Sequence, residues 1–476
     1  MANILNYASF GGLSERCLTP SLLRLLLPAC LLTVLFGTVL FSFRDETPAF
    51  NKSKAGGNNT GIGYAQHPNP PNGRWVDAWA TSAQLTVPLG LPPAPFDSPS
   101  GTFINSSIRQ TIPVSISTTQ VRLKISNEFS NSSLSITFAT LALPPNNTAG
   151  TPEIIPHTLQ NITFGGRRSI QIPPGANGFS DPINLVLDAG SNVAITLYLQ
   201  DGQKGAITSH DASRTHMYWA FGDHTNSRML YIKSKATQRA KHWYFISALE
   251  AWVPPSYGSL IILGDSLSDG RGSNINMNNR WPNLLAARVQ RSNATKHISV
   301  VNMASGGNRV LSDDKNPNVM ARLNRDVLAH PGVKYVLVYE GLNDVSVAEL
   351  DRKTQDAVYE GLIRAYQQLI LRLHAFNLPV FFATIAPAGR SPWWPHPERE
   401  RVRQKINKWI RKSTLFEAVV DFDEILRDEE GSCIRKEWDS GDGVHPNGEG
   451  FLQMAEKIDL DIFERWKDGV GNWAKI

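Results

Sequence analysis

Between Arg74 and about Trp252 short alternations of apolar and polar residues recur, among them QVRLKISN, LSITFATLAL, INLVLDAG and NVAITLYLQ. These runs are rich in Val, Ile, Thr and Leu and are bounded by Gly, Pro and Asn. A period of two sends successive side chains to opposite faces, so each run predicts a strand with one buried face. Strands separated by closely spaced turn residues predict an all-β sandwich or jelly roll. No stretch of this region carries the periodicity of a long helix.

After Val253–Gly258 (VPPSYG) the pattern changes. Continuously apolar runs now alternate with amphipathic ones. SLIIL precedes a helix expected near Arg280–Arg291, and ISVVNM precedes one near Val319–His330. VKYVLVY precedes a long helix near Lys353–Phe376, and LPVFFATI one near Glu398–Lys412. FEAVVDF follows, and a last helix is expected over Gly448–Trp466. Strands apolar on both faces and alternating with helices predict a parallel sheet covered on both sides, an α/β domain of three layers. Ligands of such sheets bind beyond the carboxyl ends of the strands.

The N-terminal part reads differently. Leu25–Phe43 (LLLPACLLTVLFGTVLFSF) carries no charge. It approaches the ~20 residues that span a bilayer as a helix. It is longer than the apolar region of a cleavable signal and lacks an A-x-A end, so an uncleaved signal anchor is expected, with cleavage and secretion as the alternative. Residues 44–73 are rich in Asn, Gly and Pro and predict a flexible linker. The expected order is a cytosolic tail (1–24), an anchor (25–43), a linker (44–73), a β domain (74–252) and an α/β domain (256–476). The chain after the anchor is expected in the lumen or outside the cell. The sequons at Asn51, Asn58, Asn105, Asn131, Asn146, Asn161 and Asn293 agree with that placement and suggest a glycoprotein.

Composition removes several classes. The chain has 476 residues, a formal net charge of +5 and 3 cysteines. With Cys17 and Cys30 in or beside the anchor, Cys433 has no partner for an internal disulfide, and no zinc-type Cys/His spacing exists. The basic run Arg399, Arg401, Arg403, Lys405, Lys408 fits one solvated helix face, and no arginine-rich tail argues for nucleic acid. His210 and His216 (TSHDASRTHMYW) are two histidines without a third ligand, the pattern of packed or surface residues. No metal or cofactor is expected.

The polar clusters fall at the expected strand ends. Gly264-Asp265-Ser266 follows the first strand, and NMASGGNRV, with Gly306, Gly307 and Asn308, follows the second. EGLND, with Asn343 and Asp344, follows the third, and DSGDGVHPNG, with Asp442 and His445, precedes the last helix. A serine hydroxyl becomes a nucleophile when a base takes its proton. His445 can be that base, and Asp442, three residues earlier, can orient its ring. The backbone N–H of Ser266 and Gly307 and the side-chain amide of Asn343 can receive an oxyanion. Asp265 and Asp344 fit helix-capping or loop-holding carboxylates better than catalytic ones. Ser266, taken alone, could equally be a helix N-cap.

The order GDS, N-x-A-x-x-G, G-x-N-D and D-x-x-H resembles the SGNH, or GDSL-type, hydrolases, over roughly Leu260–Phe463. The resemblance implies a flavodoxin-like three-layer domain and a Ser266–His445–Asp442 triad. It also implies an oxyanion hole of Ser266, Gly307 and Asn343, with Gly307 chosen over Gly306 because it stands five residues after Asn302. The preceding β region looks like the N-terminal domain of a fungal and bacterial branch of these esterases. Two features depart from familiar patterns: a glycine, Gly443, follows the acid, and GDSLS is not the G-x-S-x-G elbow of α/β-hydrolase lipases.

The expected activity is hydrolysis of carboxylic esters through an acyl-enzyme, on short acyl groups of carbohydrates or small metabolites. The alternatives are a lipase for longer chains and a catalytically idle, glycan-binding surface protein. Trp393 and Trp394 (GRSPWWPHPER) lie in the loop after the fourth strand. They could stack on a sugar or wall an acyl pocket, or simply pack the loop down.

Overall fold

The computed structural model describes residues 70–230, 237–314 and 316–471. The anchor expected at 25–43 and most of the linker lie outside these residues. Among the described residues no helix is long and apolar enough to cross a membrane.

The β-rich part is built on two large antiparallel sheets. One runs in the order Arg74–Ala80, Ile246–Val253, Thr118–Ser126 and Asn177–Phe179, with Ile183–Leu187 also pairing to Thr118–Ser126. The other runs Thr237–Ala240, Met217–Phe221, Ser106–Pro113, Asn192–Leu199, Phe138–Ala142 and Gln160–Ile162. The alternation in NVAITLYL works as its period requires: Val193, Ile195, Leu197 and Leu199 enter the shared core with Ile108, Ile112, Val121, Leu123 and Leu249. The opposite face is also covered. There Thr196 accepts a hydrogen bond from the buried Arg109, whose guanidinium also holds the carbonyls of Pro152 and Ser227. Among the described residues of this part, helix is limited to short 3₁₀ turns.

The second part holds a five-stranded parallel sheet in the order Ile298–Asn302, Gly258–Gly264, Val333–Tyr339, Val380–Ala383, Ala418–Val420. Numbered along the chain this is 2-1-3-4-5, the flavodoxin-like order, whose topological switch lies between the first and third strands. Leu260, Ile261, Ile262 and Leu263 are all buried, as a sheet covered on both faces demands.

Two expected helices differ in detail. The segment from Val319 is α-helical only to Leu323 and continues as a wide π-turn over Asn324–Leu328. The last helix divides into Gly448–Glu456 and Asp461–Arg465, because the Asp459 side chain accepts the N–H of Asp461 and starts a new turn.

One buried side chain ties the strand ends together. Arg322 is 1% exposed, and its guanidinium reaches the carbonyls of Met303 and Gly264 at 2.6 and 3.3 Å. It also meets the Asn308 side chain at 2.8 Å and the carboxylates of Asp326 and Glu340 at 2.9 and 3.2 Å. These groups belong to the ends of the first three strands and to the π-turn. Burial would raise the Asp326 carboxyl, but Arg325 and Arg322 outweigh it and hold it down to about 2.

The two parts meet through buried polar groups. Asp77 pairs with His330 at 2.6 Å, Ser82 donates to Asp326 at 2.8 Å, and Ser115 meets Ser299 at 2.7 Å.

Removing one partner of a buried ionic network leaves the others uncompensated. Arg322→Met is therefore expected to lower the unfolding free energy by about 3–5 kcal/mol. Urea unfolding followed by tryptophan fluorescence measures this, and an unchanged midpoint would contradict the role given to Arg322.

Candidate active site

The first strand ends at Gly264, where a Cβ would lie 2.5 Å from the Ser268 hydroxyl. The chain turns there into a short helix, Ser266–Asp269. Its N-cap is Asp265, whose Oδ1 accepts the N–H of Leu267 at 2.9 Å. Ser266 is therefore not the capping residue, and its hydroxyl is left to face His445. Ser266 Oγ lies 2.7 Å from His445 Nε2, and His445 Nδ1 lies 2.7 Å from Asp442 Oδ2.

The loop carrying the histidine is fixed locally. Asp442 Oδ1 accepts the backbone N–H groups of His445 and Val444 at 2.9 and 3.1 Å. Burial would raise the Asp442 carboxyl, but the hydrogen bonds from the His445 ring and backbone outweigh it and hold it well below the usual range. Gly443 has φ +74°, and a Cβ there would sit 2.3 Å from the backbone nitrogen of Ser391. The glycine after the acid is thus required by the close approach of the neighbouring loop.

The oxyanion candidates separate cleanly. Gly306 donates its N–H to Asp269 Oδ2 at 3.1 Å. The N–H groups of Ser266 and Gly307 meet no acceptor among the described residues, and both residues line the same cleft. Gly307, at φ +78°, holds a conformation that a side chain would strain. Asn343 also lines the cleft, but its amide already donates to Asp265 Oδ2 at 2.9 Å and to the Asn308 carbonyl at 3.0 Å.

Asp265 and Asp344 act on loops. Besides capping the helix, Asp265 orients Asn343. Burial first, and then the nearby Asp344 and Asp269, push its carboxyl up to about 7. Asp344 accepts the N–H groups of Val310 and Leu311 at 3.0 and 2.9 Å and so holds the loop after the second strand. Burial raises it to about 6.

The cleft has a volume of about 660 Å³, and the β-rich part supplies one wall through Asp211, Arg214 and Lys241. Both tryptophans line the cleft, Trp393 64% exposed and Trp394 buried with its indole N–H 3.3 Å from Glu400. His216 packs against Asn276. His210 is buried against Asp269, and among the described residues no three acidic, His or Cys side chains gather as a metal site. Cys433 is a free, partly buried thiol. Sequence reasoning passed over Asp269, Gln84 and Arg322. The one signal for any of them was the placement of Arg322 and Asp326 four residues apart, as oppositely charged neighbours on a helical segment.

Residues 262–451 match the model of the GDSL-like Lipase/Acylhydrolase family. No curated protein matches the chain. Among solved structures it is similar to a carbohydrate acetylesterase from Sinorhizobium meliloti, at 16% identity over 42% of this chain and 94% of that one, with a TM-score of 0.33. It is also similar to a GDSL-like lipase from Bacteroides thetaiotaomicron, at 18% identity over 44% and 88%, with a TM-score of 0.32. A catalytic mutant of an acetylxylan esterase from Geobacillus stearothermophilus shares 18% identity over 44% and 93%, with a TM-score of 0.31. The C-terminal region of the chain carries a GDSL-like lipase/acylhydrolase domain.

Proposed function

We propose that the protein is a serine esterase that cleaves carboxylic esters through an acyl-enzyme on Ser266. The observation that carries this reading is the pair of 2.7 Å contacts linking Ser266 Oγ, His445 and Asp442, with Ser266 and His445 lining the cleft. Ser266 Oγ attacks the ester carbonyl carbon as its proton passes to His445 Nε2. Asp442 keeps the other ring nitrogen protonated and balances the imidazolium. The carbonyl oxygen, now an anion, takes hydrogen bonds from the N–H groups of Ser266 and Gly307. Asn343 joins them by turning one amide hydrogen away from the Asn308 carbonyl. Collapse breaks the ester bond, and the departing alcohol takes the proton from His445. A water then repeats the sequence and releases the carboxylic acid, restoring Ser266.

The substrate class that fits best is a short acyl ester on a carbohydrate or small metabolite. A cleft of about 660 Å³ accommodates a sugar unit with a small acyl group, and the exposed face of Trp393 offers a stacking surface at its rim. We further propose that the chain is anchored through residues 25–43 with this domain outside the cytosol. Asn105, Asn131, Asn146, Asn161 and Asn293 are all exposed, as glycan acceptors must be.

Ser266→Ala in the full-length protein is expected to reduce turnover of p-nitrophenyl acetate by about 10³-fold or more. Hydrolysis at the unmutated rate would refute the mechanism. Asn343→Ala is expected to lower kcat by about 10²-fold with KM little changed. A loss below about threefold would leave the two backbone N–H groups as the working donors. Protein made in a eukaryotic secretory host is expected to lose mass on treatment with an N-glycan amidase, and an unchanged mass would argue against lumenal placement.

A further inference from the structure

The loop that presents Gly307 is held from the far side by the β-rich part. Gln84–Leu85, Thr208–His210 and Trp243–Tyr244 form a small antiparallel sheet in which Ser209 pairs with Gln84. Two side chains of this sheet reach the other part. His210 Nε2 lies 2.9 Å from Asp269 Oδ1, and Gln84 Nε2 donates to Ser305 Oγ at 3.0 Å. His210, Gln84, Asp269 and Ser305 are each at most 2% exposed, so no solvent competes for these bonds.

Both anchors end on the loop and the helix that matter. The second carboxylate oxygen of Asp269 takes the N–H of Gly306, the residue before Gly307. Asp269 is itself the last residue of the helix that begins with Ser266. Ser305, the residue before Gly306, also accepts from Asn316 at 2.9 Å and donates its backbone N–H to the Gly264 carbonyl. The His210 ring is held on both sides, with Nε2 on Asp269 and Nδ1 3.0 Å from the Ser82 carbonyl and 3.4 Å from Gln84 Nε2. A buried pair of fixed direction therefore sets the peptide plane ahead of Gly307. The guanidinium of Arg280 stands 3.9 Å from Asp269 and supplies charge without that geometry.

We propose that His210 and Gln84 are positioning residues of the esterase: the β-rich part holds the oxyanion loop in register with Ser266 and is a component of the catalytic unit. The inference rests on the esterase reading above and on Gly307 as an oxyanion donor. Oxyanion donors act only when aimed at where the charge develops. Misplacing a catalytic group by about 1 Å can cost about 10²-fold in rate.

The experiment uses the full-length protein and p-nitrophenyl acetate, with active sites counted by complete labelling with a fluorophosphonate. For His210→Leu, kcat per labelled site is expected to fall by about tenfold to hundredfold with KM within about threefold. His210→Gln, which keeps a donor at the position of Nε2, is expected to recover most of the loss. If His210→Leu labels fewer sites but each site turns over at the normal rate, the residue only stabilises the fold and the inference is overturned. If His210→Leu gives no soluble protein, Gln84→Met is judged by the same per-site rate. Ser266→Ala separates the two levels: continued hydrolysis by that variant brings down the esterase reading itself, whereas an inactive Ser266→Ala beside a fully active His210→Leu brings down only the positioning role.

Discussion

A guanidinium buried beneath the strand ends is the constraint on which the site depends. Arg322 must satisfy its donors without water, and it does so with the backbone of two strand ends, an asparagine and two carboxylates. A parallel sheet alone leaves its carboxyl ends as independent loops. With Arg322 in place, shifting one loop breaks charged hydrogen bonds to the others, so Ser266, Gly307 and Asn343 stand on a common base. The acids around it follow from the same burial: Glu340 is pushed well above its usual range by desolvation and by Asp265, against the pull of Arg322.

The β-rich part extends that base. Alongside the apolar contact of Ala80 and Ala248, it meets the α/β part through buried polar pairs: Asp77 with His330, Ser82 with Asp326, Gln84 with Ser305 and His210 with Asp269. Buried polar pairs specify one geometry more sharply than apolar contact does, because a slipped interface would strand charges without partners. The same part supplies a wall of the cleft through Asp211, Arg214 and Lys241.

Much of the site was legible in the chain. Four short blocks name Ser266, Gly307, Asn343, Asp442 and His445; four of these candidates line one cleft, and Asp442 meets the ring of His445. The blocks were readable because residue chemistry and spacing lie within a few positions of each other. Other features were not. Whether Ser266 or Asp265 capped the helix turned on one backbone N–H, that of Leu267. Whether Gly306 or Gly307 kept a free N–H turned on Asp269, a residue no block includes. The two adjacent tryptophans differ only in which way the loop faces them.

What the sequence by itself determined is the alternation of elements, the parallel and antiparallel classes of the two parts, and the residue types at the strand ends. Periodicity and strand-end chemistry are local properties, and local properties survive in a string of letters. Only the tertiary structure decided which donors remain free, why Gly443 must be a glycine, and what His210 and Gln84 touch. Gln84 and Ser305 are 221 positions apart and meet between two different sheets. No local pattern encodes that meeting, because it depends on how two sheets pack and not on the order of residues within either.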